Sequence, residues 1–253
     1  MMRSCVFVLA AVVSVAAPAA AQQPAPLPRA FVNLDFGYQT QSQDLAQTAE
    51  FPLYDETGSW TAEHALEGGP LFSVGAGYRL FGNLSLGATY TQRTKTTRDV
   101  TVDAAIPSPV FTDTLRSGAG AVAGLEHTER AVHLQALWHV PVTVEFDLTL
   151  FAGPSFFNVR DDLVATVTPF EAGGDYSTVD LQTIGTSRQR NSGMGFNIGI
   201  DSSYMIMRNA GVGATVRYTR ASVDLTPPAG TGESGFTIDA GGLEVAAGLR
   251  FRF

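Results

Sequence analysis

Residues 248–253, the last six of the chain, read GLRFRF. Apolar residues at positions 249, 251 and 253 alternate with arginines at 250 and 252. In an extended strand, neighbouring side chains point to opposite faces, so this stretch has one apolar and one cationic face. Chain ends are usually polar and frayed. The pattern instead predicts a two-faced β-strand that continues up to Phe253.

The same alternation recurs in seven earlier segments. A period of two sustained over about ten residues predicts a β-strand with two different faces. Helical spacing is nearly absent, so we expect an all-β chain of eight strands. The eight segments are residues 32–38, 72–80, 84–90, 132–138, 146–152, 196–206, 212–218 and 243–253.

Short and long connections alternate between these segments. In an up-and-down barrel, such an alternation places every long loop at one end, as in outer-membrane barrels with short periplasmic turns and long extracellular loops. The sequence therefore predicts an eight-stranded antiparallel up-and-down transmembrane β-barrel with three short periplasmic turns and four long extracellular loops. The short connections are residues 81–83, 140–143 and 208–210, and the long ones are about residues 41–70, 91–130, 158–192 and 221–236.

Two features indicate that the apolar face of the barrel points outward. Glycines are concentrated on the polar face, where small residues suit a crowded lumen. Aromatic residues on the apolar face fall into two bands, which is typical of barrels that span a bilayer. A soluble barrel with its apolar face inward, or a sandwich, is the structural alternative. The predicted aromatic girdle comprises Tyr78, Tyr90, Trp138, Phe146, Tyr204, Tyr218, Phe251 and Phe253.

The N-terminus divides into a signal peptide at residues 1–21 and a Pro-rich periplasmic leader at 22–28, followed by the barrel at 29–253. Arg3 precedes an apolar run that is too short for a membrane helix, and small residues follow it. The single cysteine, Cys5, lies in the signal peptide, so we expect a mature chain without disulfides or cysteine chemistry. The net charge of −8 argues against a nucleic-acid partner.

The ending GLRFRF resembles the C-terminal signal of outer-membrane barrels, and LFAGPSFF at residues 150–157 resembles the outer-membrane β-barrel domain. The chain as a whole is similar to the small OmpA/OmpX-type eight-stranded barrels. The resemblance implies residence in the cell outer membrane after export and removal of the signal peptide. It also implies a monomer whose partners are outer-membrane lipids, including lipopolysaccharide, and the assembly machinery, which binds the C-terminal strand.

Charged residues of both signs fall on the predicted lumen face. An eight-stranded barrel has room only for side chains, so we expect these groups to form ion pairs that fill the lumen. A narrow channel for ions or small apolar solutes is the alternative. The predicted lumen network comprises Asp35, Arg79, Glu145, Asp147, Asp201, Arg217, Glu244 and Arg250, with Arg252, His133 and His139 on the same face.

Basic residues gather just beyond the outer aromatic band, where lipopolysaccharide phosphates would lie. An ordinary hydrated rim is the simpler interpretation. By contrast, the first long loop carries six acidic residues and no Lys or Arg between positions 41 and 68. The predicted lipopolysaccharide contacts are Arg93, Lys95, Arg98, Arg130, Arg160, Arg188, Arg190 and Arg220.

Histidines raise two chemical alternatives. His127 with Ser117 and Glu129 would serve an enzyme that modifies lipid A at the outer leaflet, although no recognisable Ser–His pattern is present. The segment Glu63-His64 with Glu67 would suit a metal, in a loop that shows no structured pattern. We expect neither, and assign no catalytic residue, metal or cofactor. The expected role is structural or surface interaction through the loops.

Overall fold

The computed structural model describes residues 29–40, 43–96, 100–171, 179–225 and 236–253, and every regular element in these ranges is a β-strand. The predicted signal peptide and leader lie outside these ranges. No helix in the described ranges is long and apolar enough to cross a membrane. The strands are β1 (Ala30–Thr40), β2 (Gln43–Leu53), β3 (Glu56–Leu66), β4 (Gly69–Phe81), β5 (Leu84–Thr96), β6 (Val100–Pro107), β7 (Leu115–Val122), β8 (Glu126–Pro141), β9 (Phe146–Glu171), β10 (Val179–Met205), β11 (Ala210–Leu225) and β12 (Phe236–Arg252).

Eight of these strands close into an antiparallel barrel in the order β1-β12-β11-β10-β9-β8-β5-β4. Each contains one of the eight alternating segments, so the predicted all-β, eight-stranded, up-and-down barrel is confirmed. β1 and β12 close the wall, with Leu34 opposite Leu249. The Phe253 N–H donates to the Ala30 carbonyl at 2.9 Å, so both strand ends lie at the end of the barrel that carries the short turns. We refer to this end as the turn end and to the other as the distal end.

The side chains of each barrel strand alternate between lumen and exterior. In β8, Leu134 and Trp138 are exposed on the outside, whereas His133 and Gln135 are buried in the lumen. Aromatic side chains occupy both margins of the outer surface, and the surface between them is the membrane-spanning band of the barrel. Of the predicted girdle, Tyr78, Tyr90, Trp138, Tyr204, Tyr218 and Phe253 are exposed, and Phe146 and Phe251 are half-buried.

The first two long connections are folded into regular strands. They form two hairpins, β2–β3 and β6–β7, which join edge to edge into a separate sheet of order β2-β3-β6-β7. The hairpins meet through β3 and β6, with Trp60 opposite Ala104. They fold because their apolar residues also alternate, as at Val100, Val102 and Ala104, and gain a surface on which to be buried.

β9 and β10 are much longer than a bilayer requires. They contain 26 and 27 residues and stay paired from Phe146 opposite Tyr204 to Glu171 opposite Val179. A strand of 26 residues is roughly 85 Å long at about 3.3 Å per residue, whereas the apolar band of an outer-membrane barrel is about 25 Å tall. β9 and β10 therefore continue well beyond the membrane into the third long connection.

The distal cap consists of the β2-β3-β6-β7 sheet together with residues 163–171 of β9 and 179–187 of β10. Its apolar core includes Trp60, Val102 and Ile106 from the sheet and Val164 and Val179 from the hairpin. A second apolar cluster closes the barrel beneath the cap. This neck cluster comprises Leu45, Ala131, Phe157, Val159, Leu163, Ala221, Val223, Ile238 and Ala240.

Candidate functional site

Arg250 on β12 holds an ion-pair cluster inside the barrel. Its guanidinium donates to Asp35 Oδ1 at 2.6 Å and to Asp201 Oδ2 at 2.5 Å, and only 2% of Arg250 is exposed. Thr215 donates a further hydrogen bond to Asp201 at 2.6 Å. Two carboxylates from β1 and β10 thus share one arginine, which offsets the cost of burying all three charges.

A second ion pair lies nearer the distal end. Arg217 donates to Glu244 Oε2 at 3.3 Å, and Thr219 donates to Glu244 Oε1 at 3.2 Å. The guanidinium carbon of Arg217 is 5.7 Å from the centre of the Phe151 ring, a cation–π distance. Gly199 leaves room for that ring, since a Cβ at this position would lie 2.5 Å from a Phe151 ring carbon. The ring and the ion pair together occupy this level of the lumen.

A hydrogen-bonded polar layer lines one side of the lumen on the neighbouring strands β5, β8, β9 and β10. His133 is fully buried, with Nδ1 2.7 Å from Ser155 Oγ and Nε2 3.0 Å from Thr91 Oγ1. Asn197 donates to the same Ser155 oxygen at 3.0 Å and accepts from Gln135 at 3.1 Å. Each of these side chains is bound from two sides, so the layer is a bridge between strands.

The turn end of the lumen is also occupied. Arg252 donates to both Asp147 and Ser203, and Arg79 is half-buried nearby. Arg79, Asp147 and Arg252 contribute to the lining of a cavity of about 40 Å³. A second interior cavity, of about 20 Å³, is lined in part by Arg217. Spaces of this size suit one or two waters.

One predicted lumen residue is misplaced. Glu145 is exposed in the turn between β8 and β9, where it receives a weak 3.4 Å hydrogen bond from Thr143. The alternation does not reach this residue because β9 begins only at Phe146. The other seven predicted residues face the lumen: Asp35, Asp147, Asp201, Arg217, Glu244 and Arg250 are buried, and Arg79 is half-buried.

A buried charge cluster lies distal to the membrane-spanning band, beyond Val132 on β8. His127 Nδ1 is 3.3 Å from Asp161 Oδ2, and His127 Nε2 is 3.0 Å from Glu129 Oε1. Arg93 donates to the same Glu129 oxygen at 2.6 Å. Burial opposes protonation of His127, but hydrogen bonds to Asp161 and Glu129 and their negative charges raise its pKa to about 9. His127 is therefore a cation at neutral pH.

The arrangement of His127, Ser117 and Glu129 does not fit the alternative of an enzyme that modifies lipid A. A protonated His127 donates from both ring nitrogens and has no lone pair with which to accept a proton from a serine. Ser117 is exposed on β7 in the cap sheet, and no hydrogen bond between it and His127 or Glu129 occurs in the described ranges. The structure brings together the histidine and the acid, but not the nucleophile.

The proposed metal ligands Glu63, His64 and Glu67 do not come together in the structure. Glu63 and His64 are neighbours on β3 and therefore point to opposite faces, with Glu63 exposed and His64 buried. Glu67 instead accepts a hydrogen bond from Lys95 at 2.8 Å. In the part of the chain that the structure describes, no three His, Cys, Asp or Glu side chains converge as a metal site.

Two of the predicted rim residues face inward, and here the sequence interpretation is wrong. Tyr90 on β5 is exposed on the outer face, so Arg93 and Lys95, at odd positions, point inward. Arg93 is 3% exposed and binds Glu129, while Lys95 binds Glu67. Arg98 lies outside the described residues.

Five other predicted rim residues face outward, in two groups. Arg188 pairs with Asp162 at 2.7 Å, and Arg220 pairs with Asp239 at 3.0 Å. The remaining three, Arg130, Arg160 and Arg190, form no ion pair with a carboxylate in the described ranges. We name these three the outer arginine cluster.

The far end of the cap presents exposed apolar side chains. Two hairpin turns meet there, and the backbone N–H of Asp113 donates to Glu56 Oε1 at 2.9 Å. Tyr54 and Asp113 have positive φ angles of 55° and 56°. Strained backbone of this kind is retained only where surrounding contacts hold it in place. The distal tip comprises Tyr54, Val110, Phe111 and Leu115, which are 48%, 57%, 66% and 57% exposed.

A closed wall, an outward apolar surface between aromatic bands and a lumen of paired charges define a membrane-spanning β-barrel protein. A family model described as outer membrane protein beta-barrel domain matches residues 7–251. The chain belongs to this family of outer-membrane β-barrel proteins. Curated protein sequences give no match.

Solved structures similar to this chain include three bacterial outer-membrane proteins. Neisserial surface protein A is 16% identical, with a TM-score of 0.43, and the match covers 88% of this chain and 97% of that one. OprG from Pseudomonas aeruginosa is 11% identical (TM-score 0.45; 90% and 96% covered). The outer membrane protease OmpT from Escherichia coli is 9% identical (TM-score 0.48; 88% and 97% covered).

The sequence analysis missed the distal partners of His127 and the whole tip. Asp161 could have been found by extending the inward alternation of β9 from Phe157 through Val159. Gln39, which donates to Glu129 at 3.1 Å, continues the inward register of β1. Nothing in the sequence indicates that Tyr54 and Phe111, far apart in the chain, occupy one surface.

Proposed function

We propose that this protein is a non-enzymatic, closed outer-membrane barrel that presents the distal cap at the cell surface for interaction with another macromolecule. The main support is that the cap is folded on its own core: Trp60 is 3% exposed and Ile106 is fully buried, away from the lumen. Short turns face the periplasm in barrels of this type. The distal end is therefore assigned to the outside.

The chemistry of the tip indicates the kind of partner. Tyr54, Phe111 and Leu115 offer apolar contact area, and Asp55 and Asp113 place negative charge beside them. Apolar anchors beside charge are typical of protein interaction surfaces. A partner with an apolar and basic surface fits this tip.

The lumen contacts support a closed barrel. Arg250, Arg217 and Arg252 each bind a carboxylate across or along the lumen, and the neck cluster covers these pairs at the distal end. A narrow channel is the second candidate, because polar side chains line the two interior cavities. It would require these ion pairs to separate.

Two further attributes belong to this proposal. β12 is the strand that the assembly machinery binds, because its apolar face, including Leu249 and Phe253, is exposed along the outer surface. We infer a monomer, since the eight barrel strands pair within one chain and leave no open barrel edge to which a second copy could add a strand.

Cysteine labelling tests the orientation of the cap. Phe111→Cys places a thiol at the tip, and Arg208→Cys places one in the exposed turn between β10 and β11. A membrane-impermeant maleimide should label the first variant on intact cells and the second only after the outer membrane is permeabilised. The reverse pattern would overturn the proposal.

Conductance in planar bilayers distinguishes the closed barrel from the channel. We expect no stable conductance from the wild-type protein. Arg217→Ala empties only the level that the arginine and Phe151 share, so we expect this variant to stay closed as well, and raised conductance from it would favour the channel. Regular wild-type conductance steps would favour the channel.

Mass spectrometry of lipid A from cells with and without the protein tests the enzymatic alternative, and we expect identical spectra.

A further inference from the structure

We propose that the outer face of β8, β9 and β10 carries one defined binding site for lipopolysaccharide. The outer arginine cluster supplies one residue from each of these neighbouring strands. Arg160 lies directly opposite Arg190, and Arg130 lies opposite Asn158, two residues from Arg160 along β9. Strands lie about 4.8 Å apart, so three adjacent strands bring the three guanidinium groups into a patch roughly 10 Å wide.

The cluster lacks negative charge. Like charges placed directly opposite each other on a sheet destabilise it. Arg190 Nε donates to Asn158 Oδ1 at 3.0 Å, and no carboxylate forms an ion pair with the cluster in the described part of the chain. The nearest carboxylate on the same face of β9, Asp162, is bound by Arg188. Arg188 and Arg220, by contrast, both have a carboxylate partner. An anionic group with several acceptor oxygens would satisfy the cluster, and phosphate matches guanidinium donors in this way.

The height of the cluster suits the phosphates of a lipid. Directly toward the membrane from it, Val132 pairs with Phe156, and Phe156 pairs with Met194, all exposed on the outer face. Met194 is 71% exposed. The three strands therefore change from apolar to cationic within one or two residues. This is where lipid hydrocarbon gives way to headgroups.

An apolar groove lies below the cluster on β8, β9 and β10 and extends across β11 to Leu243 on β12. It has a volume of about 560 Å³, and its lining includes Ala136, Ala152, Ile198 and Leu150. Ala136 and Ala152 face each other across β8 and β9, and their small side chains create the depression. Ala136 is six residues from Arg130, which is about 20 Å along the strand and about 15 Å in depth for a tilt of about 40°. Half of a bilayer core is also about 15 Å, so one acyl chain reaches the groove from the headgroup level.

The number of arginines favours lipopolysaccharide over a glycerophospholipid. Lipid A carries more than one phosphate and several acyl chains, whereas a phosphatidylglycerol headgroup has one phosphate. Three cations without a carboxylate partner in the described part of the chain match the more highly charged lipid. The site is thus limited to one side of the barrel, in contrast to a collar that surrounds it.

The test compares two variants with equal loss of charge. The first is Arg130→Gln/Arg160→Gln/Arg190→Gln. The control is Arg188→Gln/Arg208→Gln/Arg220→Gln, which alters two arginines that have carboxylate partners and one in an exposed turn. Each protein is extracted from outer membranes in mild detergent, and native mass spectrometry counts retained lipopolysaccharide. Anomalous migration of the unheated protein on a denaturing gel confirms that each barrel is folded.

We expect the wild type and the control to retain one lipopolysaccharide molecule. In the cluster variant, the fraction of protein that retains this molecule should be at least tenfold lower. A third variant, Ala152→Phe, fills the groove and should also reduce occupancy while it keeps all arginines. Equal occupancy in the cluster variant and the control would overturn the site. In reconstitution with defined lipids, equal retention of phosphatidylglycerol and lipopolysaccharide by the wild type would overturn the assignment to lipopolysaccharide.

Discussion

At the residue scale, Arg250 shows how a narrow barrel can bury charge. Its two carboxylate partners, Asp35 on β1 and Asp201 on β10, are buried. Without the arginine, each carboxylate would be a buried charge with no counter-charge, which is costly. The barrel can bury these charged side chains only if each has a partner of opposite charge, because water does not replace a missing partner in the lumen. Single substitutions here should therefore be more damaging than their combination.

Arg250→Ala should reduce the free energy of unfolding by about 3–5 kcal/mol, because it leaves Asp35 and Asp201 buried without a counter-charge. Urea unfolding in detergent micelles, followed by tryptophan fluorescence, measures the change. The exposed Arg208→Ala is the control and should have little effect. The triple variant Asp35→Asn/Asp201→Asn/Arg250→Met should recover much of the loss, and failure to do so would contradict the ion-pair explanation.

Because of His127, the free energy of unfolding should fall at alkaline pH. Its pKa rises from the ordinary 6.5 to about 9 in the fold, so its contribution is fully present below about 6.5 and is lost as the pH rises through about 9. At about 1.4 kcal/mol per pKa unit, the full contribution is about 3 kcal/mol. Unfolding free energies measured from pH 6 to pH 10 should fall more for the wild type than for His127→Gln. Parallel profiles would count against a protonated His127.

At the element scale, the cap sheet depends on one large side chain. Trp60 packs in the cap core against residues of β6 and of the β9–β10 hairpin. Trp60→Ala should cost about 3–5 kcal/mol, as is usual for the removal of a buried tryptophan. We expect the cap to become sensitive to protease added to intact cells while the barrel still migrates anomalously without heating. Trp138→Ala on the membrane-facing surface should leave the cap resistant.

The sequence predicts the barrel strands better than the cap strands, for a physical reason. In β8 and β12, large apolar residues alternate with polar ones because lipid and a polar lumen lie on the two sides. In β2 and β3, the core positions include Gln47 and His64, which bind each other at 3.3 Å. This buried polar pair interrupts the apolar alternation. Gln47 and His64 become partners only in the folded sheet, so the sequence pattern of these two strands is weak.

The same reasoning explains the errors in the rim. Arg93 is a basic residue just beyond the outer aromatic band, and charge alone does not distinguish it from the outward-facing Arg130. The strand register does, since Arg93 has the parity of the lumen positions of β5. The pairing of Arg160 with Arg190 also requires knowledge of how far β9 and β10 continue, which no residue pattern in this segment specifies.

At the scale of the whole molecule, the barrel and the β2-β3-β6-β7 sheet are separate hydrogen-bonded sheets. Replacing residues 43–66 and 100–122 with short Gly/Ser linkers should therefore leave the barrel closed and heat-modifiable on a gel. We also expect no new conductance, because the lumen ion pairs remain. A variant that fails to migrate anomalously when unheated would show that the cap is required for barrel closure.

The pairing of β1 with β12 also has a consequence in time. Leu34 and Leu249 are neighbours in the wall but stand at opposite ends of the sequence. Contacts between such distant residues form slowly, because a long chain must first be brought together. The wall cannot be completed while β12 is still being translated or exported. Until then, the unsealed edges of β1 and β12 are open to pairing with other chains, so the risk of aggregation is greatest before the wall closes.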